Sequence, residues 1–210
     1  TSKCFGRADV GGPRLTDHTN ADRFLRSALE EDLGNAGDIT SSAVIPEGTS
    51  AQAHIVARSP GIIAGLEVML RTFTIVDPEL HTESLVEDGS LVEAGSLLAI
   101  VTGPARSLLA AERVALNLLG QLSGVATATR ELVDQISGTS AALVDTRKTV
   151  PGLRALQKAA VLAGGGKNHR MGLYDAVLIK DNHIALAGST EAAVQQARAA
   201  VGPGTTIEIE

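Results

Sequence analysis

Apolar residues recur at helical spacing early in the chain, at Phe24, Leu25, Ala28 and Leu29, and predict a helix from about Asp22 to Glu31. The segment EDLGNAGDIT then breaks the pattern with Gly34 and Gly37. Residues 51–58 alternate as a strand. Leu66–Val76 reads as a helix stopped by Asp77-Pro78. From His81 to Gly103 come short strand-like pieces, divided by Asp88-Gly89 and Ala94-Gly95. This half predicts a small sheet with a few helices. Leu108–Ile136 is strongly helical, with a break expected around Gly120–Gly124, and reads as a connector into a second domain.

Beyond it the rhythm becomes strand, loop, helix. Ala141–Asp145 (AALVD) predicts a short buried strand, and Pro151 suits the first turn of a helix running to Ala163, where three glycines end it. Ala176–Ile179 is the next strand, Ser189 can cap a helix through Val201, and Thr206–Glu210 begins a third strand. Such alternation implies parallel strands joined by right-handed crossovers. In an α/β barrel the working residues sit at the C-terminal ends of strands. Arg147 and Lys148 follow the first strand, Lys180 and Asp181 the second, and Glu210 falls in the third. One site assembled from successive strand ends is the expectation.

Charge sharpens it. Residues 147–183 hold seven Lys/Arg against two Asp, or +5, while the whole chain is −6 and the remainder therefore −11. Cations gathered in one stretch of an acidic protein point to an anionic ligand. Aromatics are only 2%, too few for the stacking platforms of single-stranded nucleic-acid binders, and the acidic balance elsewhere opposes duplex DNA. No apolar run approaches a membrane span. The one cysteine, Cys4, fits a reducing cytoplasmic setting. Residues 1–21 read as a loose polar tail, and the chain opens on Thr1 with no signal-peptide core.

Taken singly, each candidate has a plain alternative. Arg147 and Lys148 are either a solvated loop pair or a fork plus a point charge for a carboxylate or phosphate. Lys180 directly follows an apolar strand; it is either snorkelling or internally paired, or else aimed at a ligand. Gly164–Gly166 either simply cap a helix or give a flexible loop that brings His169 and Arg170 to an anion. GGGKN lacks Walker spacing. His183 either bonds its own backbone or serves as a ligand. Glu208 and Glu210 share one face of their strand, either exposed at an edge or serving a metal or cation. Arg113, beside Glu112 in an apolar helix, either makes an interhelical or surface ion pair or projects into a site, its own or a neighbouring subunit's. VEDGSLVEAGSLLAIVTG has the glycine rhythm of biotinyl or lipoyl carriers, but no Lys lies between Lys3 and Lys148 to carry the group.

EDLGNAGDIT, AAERVALNLLGQLSGVAT, DTRKTVPGLRALQKAAVLAGGGKNHRMGLYDAVLIKDNH and TIEIE together resemble the carboxylating nicotinate-nucleotide pyrophosphorylases, or quinolinate phosphoribosyltransferases, across about residues 22–210. A molybdenum-transport-associated relative shares the layout but matches less well. The resemblance implies an N-terminal α/β sandwich over residues 22–112, followed over 113–210 by an incomplete parallel α/β barrel, truncated at its third strand. It implies homodimers in which one subunit's sandwich covers the other's barrel mouth. The implied reaction joins quinolinate to phosphoribosyl pyrophosphate with magnesium, releasing pyrophosphate and carbon dioxide, in NAD biosynthesis. By the same resemblance Arg147, His169 and Arg170 are quinolinate ligands, and Arg113 reaches that substrate across the dimer. Lys148 and Lys180 lie between the two substrates and the pyrophosphate. Glu210 sits near the ribose and metal, and Lys148 is the candidate proton donor. Relatives continue through further strands with a second acid and glycine-rich 5′-phosphate loops. The expectation for 210 residues alone is therefore weak turnover and exposed strand edges. The competing reading is a non-catalytic binder of dicarboxylates or phosphates.

Overall fold

The computed structural model describes residues 18–210. Most of the expected tail, Cys4 included, lies outside them. Helix α1 (His18–Leu33) already covers residues 18–21, so it starts earlier than the apolar spacing indicated. Leu25 and Leu29 are its buried contacts. Gly34 and Gly37, both at positive φ, end it. Asp38 then caps a short helix the apolar pattern did not reveal, α2 (Ile39–Val44), by accepting the Ser41 N–H at 2.9 Å.

Strands β1 (Ser50–Val56) and β2 (Gly61–Ile62) precede helix α3 (Leu66–Val76), whose limits are those predicted. Strands β3 (His81–Ser84), β4 (Leu91–Val92) and β5 (Leu97–Pro104) follow. Antiparallel pairing gives a three-stranded sheet in the order β1-β5-β3 and a separate β2-β4 pair. The dividers Asp88-Gly89 and Ala94-Gly95 separate strands as expected, with both glycines at positive φ. Asp88 has a further task. Its carboxylate accepts the Gly65 N–H at 2.9 Å and the Leu66 N–H at 3.0 Å, capping α3 from a distant turn.

Helix α4 (Ala105–Gln135) runs for 31 residues without the break expected at Gly120–Gly124. Both glycines face open space, while Leu118, Leu119, Leu122 and Ala126 beside them are buried. Each exposed glycine costs a helix about 1 kcal/mol, and packing on the opposite face outweighs it. α4 serves two apolar cores. Leu108, Ala111, Ala115 and Leu119 join Met69, Phe73 and the sheet residues Ile55, Leu98 and Val101. Val114, Leu118, Leu122 and Ala126 join Leu25, Leu29, Leu156 and Ala160. The expected boundary at residue 113 falls inside this helix.

Past α4 the buried strand expected at Ala141–Asp145 is reduced to one parallel bridge, Val144 with Lys167. Val144 is 48% exposed, and no second strand extends the ladder among the described residues. Pro151 and Gly152 form a turn, so α5 (Arg154–Ala163) begins three residues later than predicted. Strand β6 (Val177–Ile179), helices α6 (Asp181–Ala187) and α7 (Thr190–Ala200), and strand β7 (Ile207–Ile209) complete the chain. Ser189 caps α7 by accepting the Ala192 N–H. β6 and β7 pair in parallel, with Ile179 opposite Ile209, so the strand ends bearing Lys180 and Glu210 lie side by side.

Asp88→Ala should destabilise the fold by about 1–2 kcal/mol through loss of the α3 cap. The midpoint of urea unfolding measures it. An unchanged midpoint would mean that water replaces the carboxylate at no cost.

Candidate active site

A polar cluster forms where the loop after Val144, the loop after α5 and the ends of β6 and β7 meet. Glu210, at the end of β7, takes a hydrogen bond from Lys180 Nζ at the end of β6. Lys180's hydrogen bond and charge, with the charge of Lys148 adding to them, hold the Glu210 carboxyl below the usual glutamate range. Lys148, Lys180 and Glu210 therefore share one electrostatic neighbourhood. The Lys148 N–H is tied to Thr146 Oγ1 at 3.0 Å, which fixes the backbone beneath it.

His169 Nε2 lies 2.6 Å from a carboxylate oxygen of Glu208. Glu208 was not among the site residues expected, although its place on the Glu210 face of TIEIE was legible. Glu210 thus meets a lysine and Glu208 an imidazole, and the strand-face alternation sets this pairing. His183 follows its plainer alternative: its Nδ1 accepts the Lys180 N–H at 2.9 Å and closes the first turn of α6.

The glycine run is not a slack hinge. A Cβ on Gly164 would lie 2.4 Å from the Ala126 carbonyl oxygen, and one on Gly166 2.7 Å from Val161 Cγ1. Gly165 has φ +92. These glycines let the chain turn tightly against α4, where Arg130 Nε donates to the Gly164 carbonyl at 3.0 Å. The loop beyond is tied down as well. The His169 N–H donates to Asp145 Oδ1 at 2.8 Å, and Lys158 Nζ donates to both that carboxylate and the His169 carbonyl. With its side-chain amide oriented to satisfy its neighbours, Asn168 donates to Asp145 Oδ2 at 2.6 Å. Arg170 Nη1 donates to the Ala176 carbonyl at 3.1 Å. Asp175 accepts the Met171 and Gly172 N–H groups. Burial pushes its carboxyl up, but those amides and the charge of Lys158 outweigh burial and hold it below the ordinary range.

This pairing revises the charge count. Lys158 is 1% exposed and neutralised by Asp145, so it cannot meet a ligand. Arg147, Lys148, Lys167 and Arg170 have no acidic partner in contact among the described residues. Arg147 Nε is buried with no hydrogen-bond partner. A buried guanidinium N–H with nothing to donate to is costly and marks where an anionic oxygen fits.

Arg113 stands apart. It is exposed on α4 and lines a groove of about 650 Å³ with Arg58, Glu112 and Asn117, not the cleft of about 160 Å³ lined by Asp145, Lys148 and Lys158. No ion pair joins it to Glu112 among the described residues, since successive helical residues do not face each other. Nor do three His, Cys, Asp or Glu side chains converge to cage a metal among those residues. Glu210 offers one carboxylate beside two lysines. With Lys180 already on it, that carboxylate could give a hard cation one oxygen ligand at most.

Glu210 should titrate below the usual glutamate range, and Lys180→Met should raise it. The Lys180 contact persists at and above the ordinary glutamate pKa and is lost only as pH falls through the lowered value. Carboxyl chemical shifts followed against pH check this. Identical titrations in both proteins would show that the two side chains do not meet in solution.

Two family models divide the chain: quinolinate phosphoribosyl transferase, N-terminal domain, matches residues 38–123, and quinolinate phosphoribosyl transferase, C-terminal domain, matches residues 125–210. The chain is 45% identical over 194 residues to a probable nicotinate-nucleotide pyrophosphorylase [carboxylating] of Bacillus subtilis, covering 92% of this chain and 66% of that protein. It is 47% identical over 171 residues to a mitochondrial quinolinate phosphoribosyltransferase [decarboxylating] of Nicotiana tabacum, covering 81% of this chain and 48% of that one. It therefore spans between about half and two thirds of the length of these curated relatives. The structure superposes on the crystal structure of NadC from Streptococcus pyogenes with TM-score 0.86 and 39% identity, over 91% of this chain and 69% of that one. Motif, mixed α/β architecture and comparison agree that the chain belongs to the quinolinate phosphoribosyl transferase family.

Proposed function

We propose that the protein to which this chain belongs transfers the phosphoribosyl group of phosphoribosyl pyrophosphate to quinolinate with loss of carbon dioxide. The products are nicotinate mononucleotide and pyrophosphate, in NAD biosynthesis. Arg147 carries the reading: its buried Nε lacks a partner in a loop that also presents Lys148, facing a family substrate with two carboxylates. On this reading β1-β5-β3 belongs to an α/β sandwich, and the β6–β7 segment to an α/β barrel whose mouth holds the site. The lone cysteine favours a cytoplasmic setting.

Arg147, His169 and Arg170 bind the dicarboxylate. Lys148 and Lys180 face the pyrophosphate of the sugar donor, where they stabilise the negative charge that grows as the bond to ribose C1 breaks. Glu210 holds Lys180 in that position and lies where an electron-poor ribose would be met. Magnesium would be held by Glu210 and the donor's phosphate oxygens, and when bound it neutralises their charge. The pyridine nitrogen attacks C1, and the resulting ring cation accepts the electron pair left by departing carbon dioxide. Lys148 is the candidate donor for the proton that takes its place. Placement and electrostatics do the work, with no covalent enzyme intermediate.

Pyrophosphate release that requires both quinolinate and phosphoribosyl pyrophosphate tests the reading. Arg147→Ala and Arg170→Ala should each weaken quinolinate binding by about 1.5–3 kcal/mol. Neither variant breaks an ion pair, so the loss of melting temperature should be small, with Arg170→Ala losing only its bond to the Ala176 carbonyl. Titration calorimetry on the folded variants reads the affinity, and parent-like affinity in both would remove these arginines from the site.

We also propose that the protein is a homodimer in which Arg113 reaches the partner subunit's quinolinate. Its exposure on α4, away from the Lys148 cleft, motivates this. Mixed Arg113→Ala and Lys148→Ala subunits should regain activity that neither has alone, through one intact site per heterodimer. Absence of recovery after verified subunit exchange would confine Arg113 to its own subunit or to no role.

A further inference from the structure

Two cationic side chains of α5 touch both ligand-bearing loops without being placed to touch a ligand. Arg154 and Lys158 are four residues apart and so lie on one face of the helix. Arg154 Nε donates to Thr149 Oγ1 at 3.0 Å, in the loop of Arg147 and Lys148. Its Nη1 donates to the Met171 carbonyl at 3.2 Å, in the loop of His169 and Arg170. One turn on, Lys158 repeats the arrangement. Its Nζ reaches Asp145 at the root of the first loop and the His169 carbonyl, at 3.1 Å, in the second. Gln157 adds a tie to the first loop by accepting the Val150 N–H at 2.9 Å.

Asp145 also ties the loops directly, by accepting the His169 N–H and the Asn168 amide. Between their roots the backbone offers the single Val144–Lys167 bridge, and no ladder extends it. The placement of the Arg147 loop relative to the His169–Arg170 loop therefore depends on the side chains of α5 together with Asp145. A cation buried to 1% exposure is an expensive way to gain stability alone, since apolar replacements of buried pairs are often as stable. What an ion pair supplies beyond stability is directional, charge-assisted geometry.

We propose that Arg154 and Lys158 are positioning residues: a two-pronged clamp that fixes the separation of the Arg147 loop from the His169–Arg170 loop and so selects a pyridine with two adjacent carboxylates over one with a single carboxylate. The selection rests on the reading of the site as a quinolinate site; the clamp itself does not. A dicarboxylate must satisfy both loops at once, so a change in their spacing weakens it more than a monocarboxylate, which needs one.

Two variants test this. Arg154→Met removes one prong from a half-buried position and leaves no buried charge behind. Asp145→Asn with Lys158→Met removes the other prong as a pair, so that no carboxylate is buried unpaired. Each is compared with the parent for quinolinate and nicotinate affinity by calorimetry, for melting temperature, and for tryptic cleavage after Lys167 and Arg170. Quinolinate affinity should fall about tenfold or more, the scale of one charge-assisted bond, while nicotinate affinity falls clearly less. Cleavage at the two loop sites should quicken in the folded variants. Arg154→Lys, which keeps the charge but cannot span both acceptors, should behave as Arg154→Met does. Variants that melt lower yet keep the parent's quinolinate-to-nicotinate ratio and its resistance to trypsin would overturn the clamp and leave only a structural ion pair. A parent that binds neither pyridine would overturn the proposed substrate instead, and the trypsin comparison would still decide whether α5 holds the loops.

Discussion

The Asp145–Lys158 pair is the contact on which the ligand-facing half of this protein depends. Both side chains are nearly shielded from water, so neither charge is tolerable without the other. The remaining capacity of the pair is used on backbone. Asp145 receives the His169 N–H, and Lys158 holds the His169 carbonyl, so the conformation of an otherwise irregular loop is set by a carboxylate and an ammonium buried beneath it. Removing one partner would leave an uncompensated charge at the root of two loops at once.

The surface cations are distributed by a second rule, which is whether an acid lies within reach. Lys180 and His169 are met by Glu210 and Glu208, two residues apart on one face of β7. Arg147, Lys148 and Arg170 have no such carboxylate in contact among the described residues. The acids on β7 hold Lys180 and His169 in place, while Arg147, Lys148 and Arg170 keep their charges unpaired. A pocket built this way is ordered before a ligand arrives and remains attractive to an anion.

How much of this could be read from residues alone varies with the range of the interaction. α3 was legible to its last residue because a helical apolar period ends at Asp77-Pro78. The strand dividers were legible because Gly89 and Gly95 need positive φ. AALVD read as a strand because a short apolar run cannot be distinguished from an apolar loop without its neighbours. α2 and α6 were too short to show a period. The excess of cations in residues 147–183 was visible, but not their division into paired and unpaired groups. Lys158 meets a carboxylate 13 positions away and His169 one 39 positions away. Glu208 was half legible: its face was predictable from Glu210, its partner was not. The glycines before His169 read as either a helix cap or a flexible loop; Gly164 does cap α5, and the run packs closely against Ala126 and Thr129.

The unbroken α4 has a mechanical consequence. At 31 residues it is a rod of about 46 Å, and each of the two apolar cores grips it on its own stripe of side chains. A bend near the middle would have to pull Leu118, Leu119 and Leu122 out of contact at once. Neither core can swing about that rod as a door does about a jamb. Relative motion within the described residues is thereby left to the loops at the strand ends.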